Sequence, residues 1–515
     1  MSPLENLPTE LLNRIFDFLA EPDSDTIERE RSCNSTTGLY SLCLVSQRFR
    51  DLAQPLLFRY LNGDDIDDLK PLIAFTKAVY LRPALGAHVK FVTVTPSPYA
   101  LPVDGSAKLV REDLELFRKA VRELELGDEE KRWTDAVENQ DLSVLVALLT
   151  HKTPNIRALR VAHGQVVMKP FLTLWEKYPS YLSNLEQIWV ACDNIYLEYN
   201  IGIYEKFLTL PNLKAPTFED GDLLRTKFPS SWAPGTLAAE ELAFKDCFID
   251  SVSLKKFVKA CKNVKAFTYQ SFSPIPEEPT RARLDGEKEF NAADAHAALL
   301  PHKATLEHLH VEFFREPWLI DGPQAYAEYC ARCPKLPSLH NFSVLETVIV
   351  QHAVLSPHPR FPPSLQLLHI TDCNSSIREM LSNIVKDVKK GLYPNLSKLL
   401  VLAIDVSRPI KLPGQVIPPG KTPAECFFEL QDWFNGTKVE FSICPYDLSA
   451  ADDELDDDYE DGPPFPSGPG VPGFLQMMMQ QAMQDPEFVA MIQDAAAGGD
   501  SDGQSWVTDD DDDDN

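Results

Sequence analysis

The stretch LENLPTELLNRIFDFL (residues 4–19), followed after a polar interval by LYSLCLVSQRFRDLAQPLLFRYL (residues 39–61), decides the architecture of the amino-terminal part of this chain. Pro8 suits the first turn of a helix, and apolar residues then recur at three- and four-residue spacing. These residues are Leu11, Leu12, Ile15, Phe16 and Leu19. The spacing predicts an amphipathic helix.

The second part of this stretch predicts two more helices. The apolar stripe of the first consists of Leu42, Val45, Phe49 and Leu52. Pro55 closes that helix and opens a short third one. Helices this short are not stable alone, and together they carry more apolar surface than they can bury among themselves. We therefore expect part of that surface to meet a partner.

The order of these residues resembles the F-box, the short module through which substrate receptors dock onto a Skp-family adaptor in a cullin-type ubiquitin ligase. The matching residues are Leu7, Pro8, Glu10, Ile15, Leu19, Leu44, Val45, Ser46, Arg48, Phe49, Leu52, Ala53, Pro55 and Leu56. The resemblance implies adaptor contacts for Leu7, Pro8, Leu11, Ile15, Leu44, Val45 and Phe49. One departure is that the hairpin loop, residues 20–38, is longer than the usual turn of that family. The alternative is an ordinary amphipathic helix pair at the start of a globular chain.

A different pattern recurs beyond residue 61. LQLLHITDC (residues 365–373) follows the template L-x-x-L-x-L-x-x-C, which is typical of the strand of a leucine-rich repeat. Its apolar positions are Leu365, Leu368, Ile370 and Cys373. The template also fits Val89, Val92 and Val94; Ile156, Leu159 and Val161; Leu185, Ile188 and Val190; Leu242, Phe244 and Cys247; Val264, Phe267 and Tyr269; Leu306, Leu309 and Val311; Leu345, Val348 and Val350; Leu399, Leu402 and Ile404. A weak further copy lies around Leu213 and Phe218.

Helical patterns such as SLKKFVKACKNV (residues 253–264) lie between these strands, so strand and helix alternate along the chain. The central copies are 25 to 29 residues apart. Stacked units of this kind bury a continuous core and form a solenoid whose concave sheet faces a partner. The chain thus resembles F-box proteins with leucine-rich repeats. The irregular spacing and the absence of an asparagine ladder leave an ordinary α/β domain with buried parallel strands as the alternative.

The expected fold class is therefore α/β, in three parts: an F-box-like module of three helices (residues 1–61), an irregular leucine-rich-repeat-like solenoid (62–450) and a disordered acidic tail (451–515). The chain has a formal net charge of -28, but residues 452–515 carry 19 acidic side chains and no lysine or arginine. The remainder is only mildly acidic. Within the tail, residues 474–497 form a methionine-rich pattern that predicts a helix for an adaptable apolar groove.

Strand alternation predicts which side chains point away from the core. They are Thr93, Arg160, Trp189, Ala243, Thr268, His310, Ile349, His369 and Ala403. Among them we expect Arg160, Trp189, His310 and His369 to bind a target protein, with Arg160 and Trp189 foremost, because arginine and tryptophan dominate binding hot spots. Such a tryptophan would need an apolar lid, and the alternative is that a loop of this chain covers it.

Other classes of function find little support in the sequence. No Lys/Arg cluster or basic stripe suggests nucleic acid, and the longest apolar run is too short for a membrane span. Scattered cysteines and a start without an export signal indicate a cytoplasmic or nuclear location. Catalytic motifs are missing, so we expect no enzyme, cofactor or metal site. The sequence therefore predicts the substrate-recognition subunit of a cullin-type (SCF) ubiquitin ligase. The alternative is a non-catalytic leucine-rich-repeat scaffold that does not direct ubiquitylation.

Overall fold

The structure is a computed structural model. It describes residues 7–20, 33–66, 69–96, 109–163, 166–192, 201–221, 223–224, 227–271, 290–313, 333–373, 377–403 and 419–445. The chain divides into two units, residues 1–446 and 447–515. The predicted acidic tail (451–515) and the predicted methionine-rich helix (474–497) lie outside the described residues.

Three helices open the chain: α1 (Thr9–Ala20), α2 (Cys33–Val45) and α3 (Gln47–Leu57). The backbone N–H groups of Leu11 and Leu12 both donate to the carbonyl of Pro8, at 3.1 Å, so the first helical turn starts at the proline. A small core of described residues holds the three helices together. It consists of Leu12, Phe16, Leu39, Cys43, Phe49 and Ala53.

The break between α2 and α3 corrects the sequence-based expectation, because it lies at Ser46 and not at Pro55. The Ser46 hydroxyl accepts a hydrogen bond from the backbone N–H of Phe49, at 3.3 Å, and so caps α3. Pro55 lies inside α3, close to its end, where few helical hydrogen bonds remain for a proline to interrupt. The serine cap therefore determines the boundary.

In the described ranges after α3, 13 strands form a parallel sheet. The strands are β1 (Tyr60–Leu61), β2 (Asp64–Ile66), β3 (Phe91–Pro96), β4 (Ala158–His163), β5 (Gln187–Cys192), β6 (Ala215–Glu219), β7 (Glu241–Lys245), β8 (Ala266–Gln270), β9 (His308–Glu312), β10 (Thr347–Gln351), β11 (Leu367–Cys373), β12 (Lys398–Ala403) and β13 (Glu440–Pro445). Their order in the sheet is the order in the chain, except that β2 also pairs with β3. Each strand from β4 to β12 therefore pairs only with its neighbours in sequence.

Helices separate most of these strands. They are α4 (Lys70–Leu81), α5 (Pro83–Gly86), α6 (Arg111–Glu123), α7 (Glu130–Glu138), α8 (Leu142–His151), α9 (Lys169–Lys177), α10 (Glu205–Leu208), α11 (Ser251–Ala260), α12 (Ala292–Leu299), α13 (Arg378–Lys389) and α14 (Pro423–Trp433). One hydrophobic core runs between the sheet and the helices from Leu61 to Val439. No helix in the described ranges is long and apolar enough to cross a membrane.

The predicted strand positions are confirmed for β3 to β11, and β12 has a different register. In β12 the residues Leu399, Val401 and Ala403 are fully buried, whereas Leu402 and Ile404 were expected there. Ile404 lies outside the described residues. Ala403 consequently faces the core, and Leu400 takes the outward place opposite His369. Residues 399–404 are all apolar, so alternation along this segment carries no information about the register.

Asparagine side chains link neighbouring strand units, which corrects the expectation that the chain has no asparagine ladder. Asn155, Asn184 and Asn212 each lie shortly before a strand, and each donates its side-chain N–H to a backbone carbonyl of the preceding unit. The acceptors are Ala87 at 2.8 Å, Pro154 at 3.0 Å and Ser183 at 2.8 Å. These asparagines precede the apolar template of each strand instead of following it. Among the described residues, such bonds occur before β4, β5 and β6.

Candidate functional site

Helix α1 has two apolar faces, one buried and one exposed. Leu12 and Phe16 are fully buried in the three-helix core. The exposed apolar residues are Leu11 (46%), Ile15 (39%), Phe18 (79%) and Leu19 (38%). Ile15, Phe18 and Leu19 follow Leu11 at intervals of four, seven and eight residues, so the four side chains form one stripe on the helix surface. We call it the α1 stripe.

The neighbouring helix α2 exposes apolar side chains as well. Tyr40, Leu44 and Val45 are 56%, 63% and 59% exposed. Of the remaining residues expected to contact an adaptor, Leu7 is half-buried and Pro8 is exposed. The structure therefore leaves Leu7, Pro8, Leu11, Ile15, Leu44 and Val45 accessible to a partner.

Phe49 is buried, unlike these residues. The structure therefore does not place it at the surface, where an adaptor contact was expected. It is only 2% exposed, and its ring packs edge-on against the ring of Phe16 with 5.6 Å between the centroids. A side chain in this position stabilises the helical hairpin and offers no surface to a partner.

Arg48 has a positioning role that the sequence analysis did not identify. Its guanidinium donates to the backbone carbonyl of Leu7 at 2.7 Å and to the hydroxyl of Thr9 at 3.2 Å. The arginine on α3 thereby fixes the Leu7–Pro8 segment at the start of α1. Sequence order alone could not reveal this contact, because 41 residues separate Arg48 from Leu7.

The outward-pointing side chains of the sheet lie in one row across neighbouring strands, as the pairing register shows. This central row consists of Thr93, Arg160, Trp189, Thr217, Ala243, Thr268, His310, Ile349, His369, Leu400 and Ser442. It contains all four residues that the sequence analysis selected for target binding. It also adds Thr217, Leu400 and Ser442, and it omits Ala403.

Arg160 and Trp189 come together, with two partners that the sequence did not indicate. The Arg160 guanidinium lies 4.5 Å from the ring centroid of Trp189, and the Lys245 ammonium lies 4.6 Å from it. Glu219 accepts hydrogen bonds from the indole N–H of Trp189 at 2.7 Å and from Arg160 at 3.0 Å. Polar and cationic groups thus surround an indole for which an apolar lid was expected. Cations over an indole face are attracted by the ring quadrupole.

His310 and His369 belong to a second cluster, around Glu312. The His310 Nε2 lies 3.2 Å from a carboxylate oxygen of Glu312, and the Gln270 amide donates to the same oxygen at 3.0 Å. Burial acts to raise the pKa of Glu312, but the adjacent His310, the hydrogen bond from Gln270 and the nearby Thr371 side chain outweigh it and lower that pKa to about 2. Burial lowers the pKa of His369. Glu312 is therefore a fixed negative charge, and His369 is neutral at pH 7.

The two clusters are separate sites on the same face of the sheet. Three strands, β6 to β8, lie between Trp189 on β5 and His310 on β9. At the usual spacing of parallel strands this corresponds to about 19 Å. A ligand that contacts both clusters must be larger than a single side chain, as a protein segment is.

Comparison with known proteins places one segment of the chain. Residues 4–62 match the family model described as F-box-like. No curated protein matches the chain. The matched segment covers the helices that carry the α1 stripe, Arg48 and the exposed residues of α2.

Proposed function

We propose that this chain is the substrate-recognition subunit of a cullin-type ubiquitin ligase, with a Skp-family adaptor bound through α1 to α3. The observation that carries the proposal is the α1 stripe within the F-box-like segment. F-box-like domains generally bind adaptors of this kind. Four large apolar side chains on one exposed helix face cost free energy in water, and a partner that covers them removes that cost.

The proposal is tested by co-purification of the full-length protein with a Skp-family adaptor and its cullin. Wild type is compared with the double variant Leu7→Ala, Pro8→Ala. The variant truncates two side chains of the segment whose backbone carbonyl Arg48 binds. We expect wild type to retain the adaptor and the variant to lose most of it at an unchanged melting temperature. If neither protein binds, the adaptor assignment fails. If the adaptor binds but no protein is ubiquitylated in its presence, the scaffold alternative holds.

The open face of the sheet is the proposed surface for a target protein. We propose that β3 to β13 with their helices form a leucine-rich-repeat-like solenoid. The sequential strand order, the in-register central row and the bonds of Asn155, Asn184 and Asn212 support this assignment. The target would contact Arg160, Trp189, His310 and His369. In this proposal the chain catalyses nothing and raises the local concentration of the target near the ubiquitin-loaded enzyme, in the cytoplasm or nucleus.

Trp189→Ala is expected to weaken target capture by about tenfold or more without loss of the adaptor, because a half-buried tryptophan in a charged cluster has the character of a binding hot spot. The measurement is quantitative mass spectrometry of proteins that co-purify with tagged wild type and variant. Gln187→Ala is the matched control, since Gln187 lies on the same strand and face and is exposed. Equal loss of adaptor and of other proteins would indicate misfolding and contradict a role in recognition.

A further inference from the structure

A basic cavity of about 190 Å³ lies between residues 358–360, which precede β11, and the second half of α13. Its charged or basic lining residues are His358, Arg360, Lys386, Asp387 and Lys390. These groups are 26 or more residues apart on the two sides of the cavity, so no cluster is visible in the sequence. Folding brings them together.

The charge of this cavity is only partly compensated. Asp387 is its one lining carboxylate, and Lys390 lies 3.5 Å from it. Across the described part of the chain, no carboxylate lies within ion-pair distance of Arg360 or Lys386. Arg360 and Lys386 are both exposed. Two exposed cations beside one cavity, with no carboxylate in ion-pair distance among the described residues, favour an anionic ligand.

Hydrogen bonds fix the walls of the cavity. The Asn383 side chain donates to the carbonyl of Pro357 at 3.2 Å, and the backbone N–H of Leu339 donates to the carbonyl of Arg360 at 2.9 Å. The rings of Phe361 and Tyr393 pack edge-on at 6.2 Å. Because this segment is already fixed on both sides, it loses little conformational entropy when a ligand binds.

A second cavity of about 330 Å³ adjoins the basic one and shares His358, Pro359 and Arg360 with it. Its lining is mixed: Lys335, Ser338 and Ser356 lie beside a floor of buried apolar side chains. The floor consists of Leu336, Leu339, Leu355 and Phe361. The two cavities therefore meet at one short segment that carries Arg360, and the second cavity adds a floor of buried apolar side chains. A free anion would leave this apolar floor uncovered.

We propose that these two cavities bind a peptide segment in which an acidic or phosphorylated side chain lies close to an apolar one. Arg360 and Lys386 hold the anionic group, because a guanidinium offers paired donors and an ammonium adds a point charge. The apolar side chain enters the adjoining cavity. This site lies apart from the central row of the sheet, and it holds whether or not the chain serves a ligase.

The test uses the full-length protein and three fluorescent peptides that differ at one position, which is phosphoserine, glutamate or serine, one or two residues from a leucine. Fluorescence anisotropy measures their affinities. We expect the serine peptide to bind about tenfold more weakly, or worse, than the better of the two anionic peptides. Comparison of the phosphoserine and glutamate peptides identifies the source of the anion. Equal affinity for all three peptides, or no binding at millimolar protein, overturns the proposal.

Variants locate the site. The double variant Arg360→Ala, Lys386→Ala is expected to bind the anionic peptide about tenfold more weakly, or worse, than wild type. Lys389→Ala is the matched control, because this exposed lysine ends the same helix without lining the cavity and is expected to change affinity by less than about twofold. An equal loss in the control shows unspecific attraction and overturns the assignment. Replacement of the leucine by serine in the peptide is expected to weaken binding, and an unchanged affinity would overturn the apolar subsite.

Discussion

Replacement of both Leu11 and Ile15 by alanine is expected to weaken binding to a Skp-family adaptor by about two orders of magnitude while the protein stays folded. These two side chains are 46% and 39% exposed and lie one helical turn apart on the α1 stripe. Truncation of an apolar anchor that becomes buried in an interface costs about 1–2 kcal/mol, and two neighbouring anchors together cost about 2–4 kcal/mol. Each 1.4 kcal/mol or so corresponds to a factor of about ten in affinity.

Titration calorimetry of the purified variant with the adaptor checks this prediction. Leu392→Ala serves as the control, because Leu392 is 45% exposed but lies far from α1 in the chain, shortly before β12. We expect the control to bind as wild type does. An adaptor affinity that survives the double substitution would show that the α1 stripe is not the docking surface, and the exposed residues of α2 would then be the next to test.

Phe16→Ala is expected to unfold the three-helix module while the sheet remains intact. Phe16 is fully buried, packs against Phe49 and belongs to a core that, among the described residues, has six buried members and is separate from the core of the sheet. Loss of a buried phenylalanine costs about 3–5 kcal/mol. A core this small cannot redistribute such a loss. Hydrogen exchange should show loss of protection in α1 to α3 and unchanged protection in β4 to β12, and adaptor binding should disappear.

Phe18→Ala is the matched control on the same helix. Phe18 is 79% exposed, so its truncation is expected to change the free energy of unfolding by less than about 0.5 kcal/mol. Similar losses of protection in the two variants would contradict the assignment of Phe16 to the buried face and of Phe18 to the exposed face of α1. Loss of protection throughout the sheet in Phe16→Ala would mean that the module and the sheet unfold as one cooperative unit.

The sequence predicted the strands β3 to β5 and β7 to β11 because each carries an apolar pattern with a clear phase, and the pattern at β6 is weaker. Leu365, Leu368 and Ile370 illustrate this: their spacing admits only one set of inward positions, and all three are buried. The pattern fails at β12, where every residue from Leu399 to Ile404 is apolar and no phase is favoured. Hydrophobic alternation therefore determines a register only where polar residues interrupt it.

The contacts of the candidate sites were less accessible to sequence reasoning. Arg160 and Trp189 could be selected because both face outward, but their shared partner Glu219 follows from the pairing of β4, β5 and β6. In the same way, the sequence pattern predicted the helix boundary at Pro55, whereas the hydrogen bond from the Phe49 N–H to the Ser46 hydroxyl places it at Ser46. Such features depend on distances between segments, which a linear pattern does not contain.

The strand order of the sheet has a consequence for how the protein is made. Because each strand from β4 to β12 pairs only with its neighbours in the chain, a strand that has left the ribosome already finds its partner among the residues just synthesised. Few strand pairings must wait for a distant segment, so the entropy of closing long loops is small at each step. The sheet can therefore grow during translation from β3 onward, one strand at a time, on a template that is already folded.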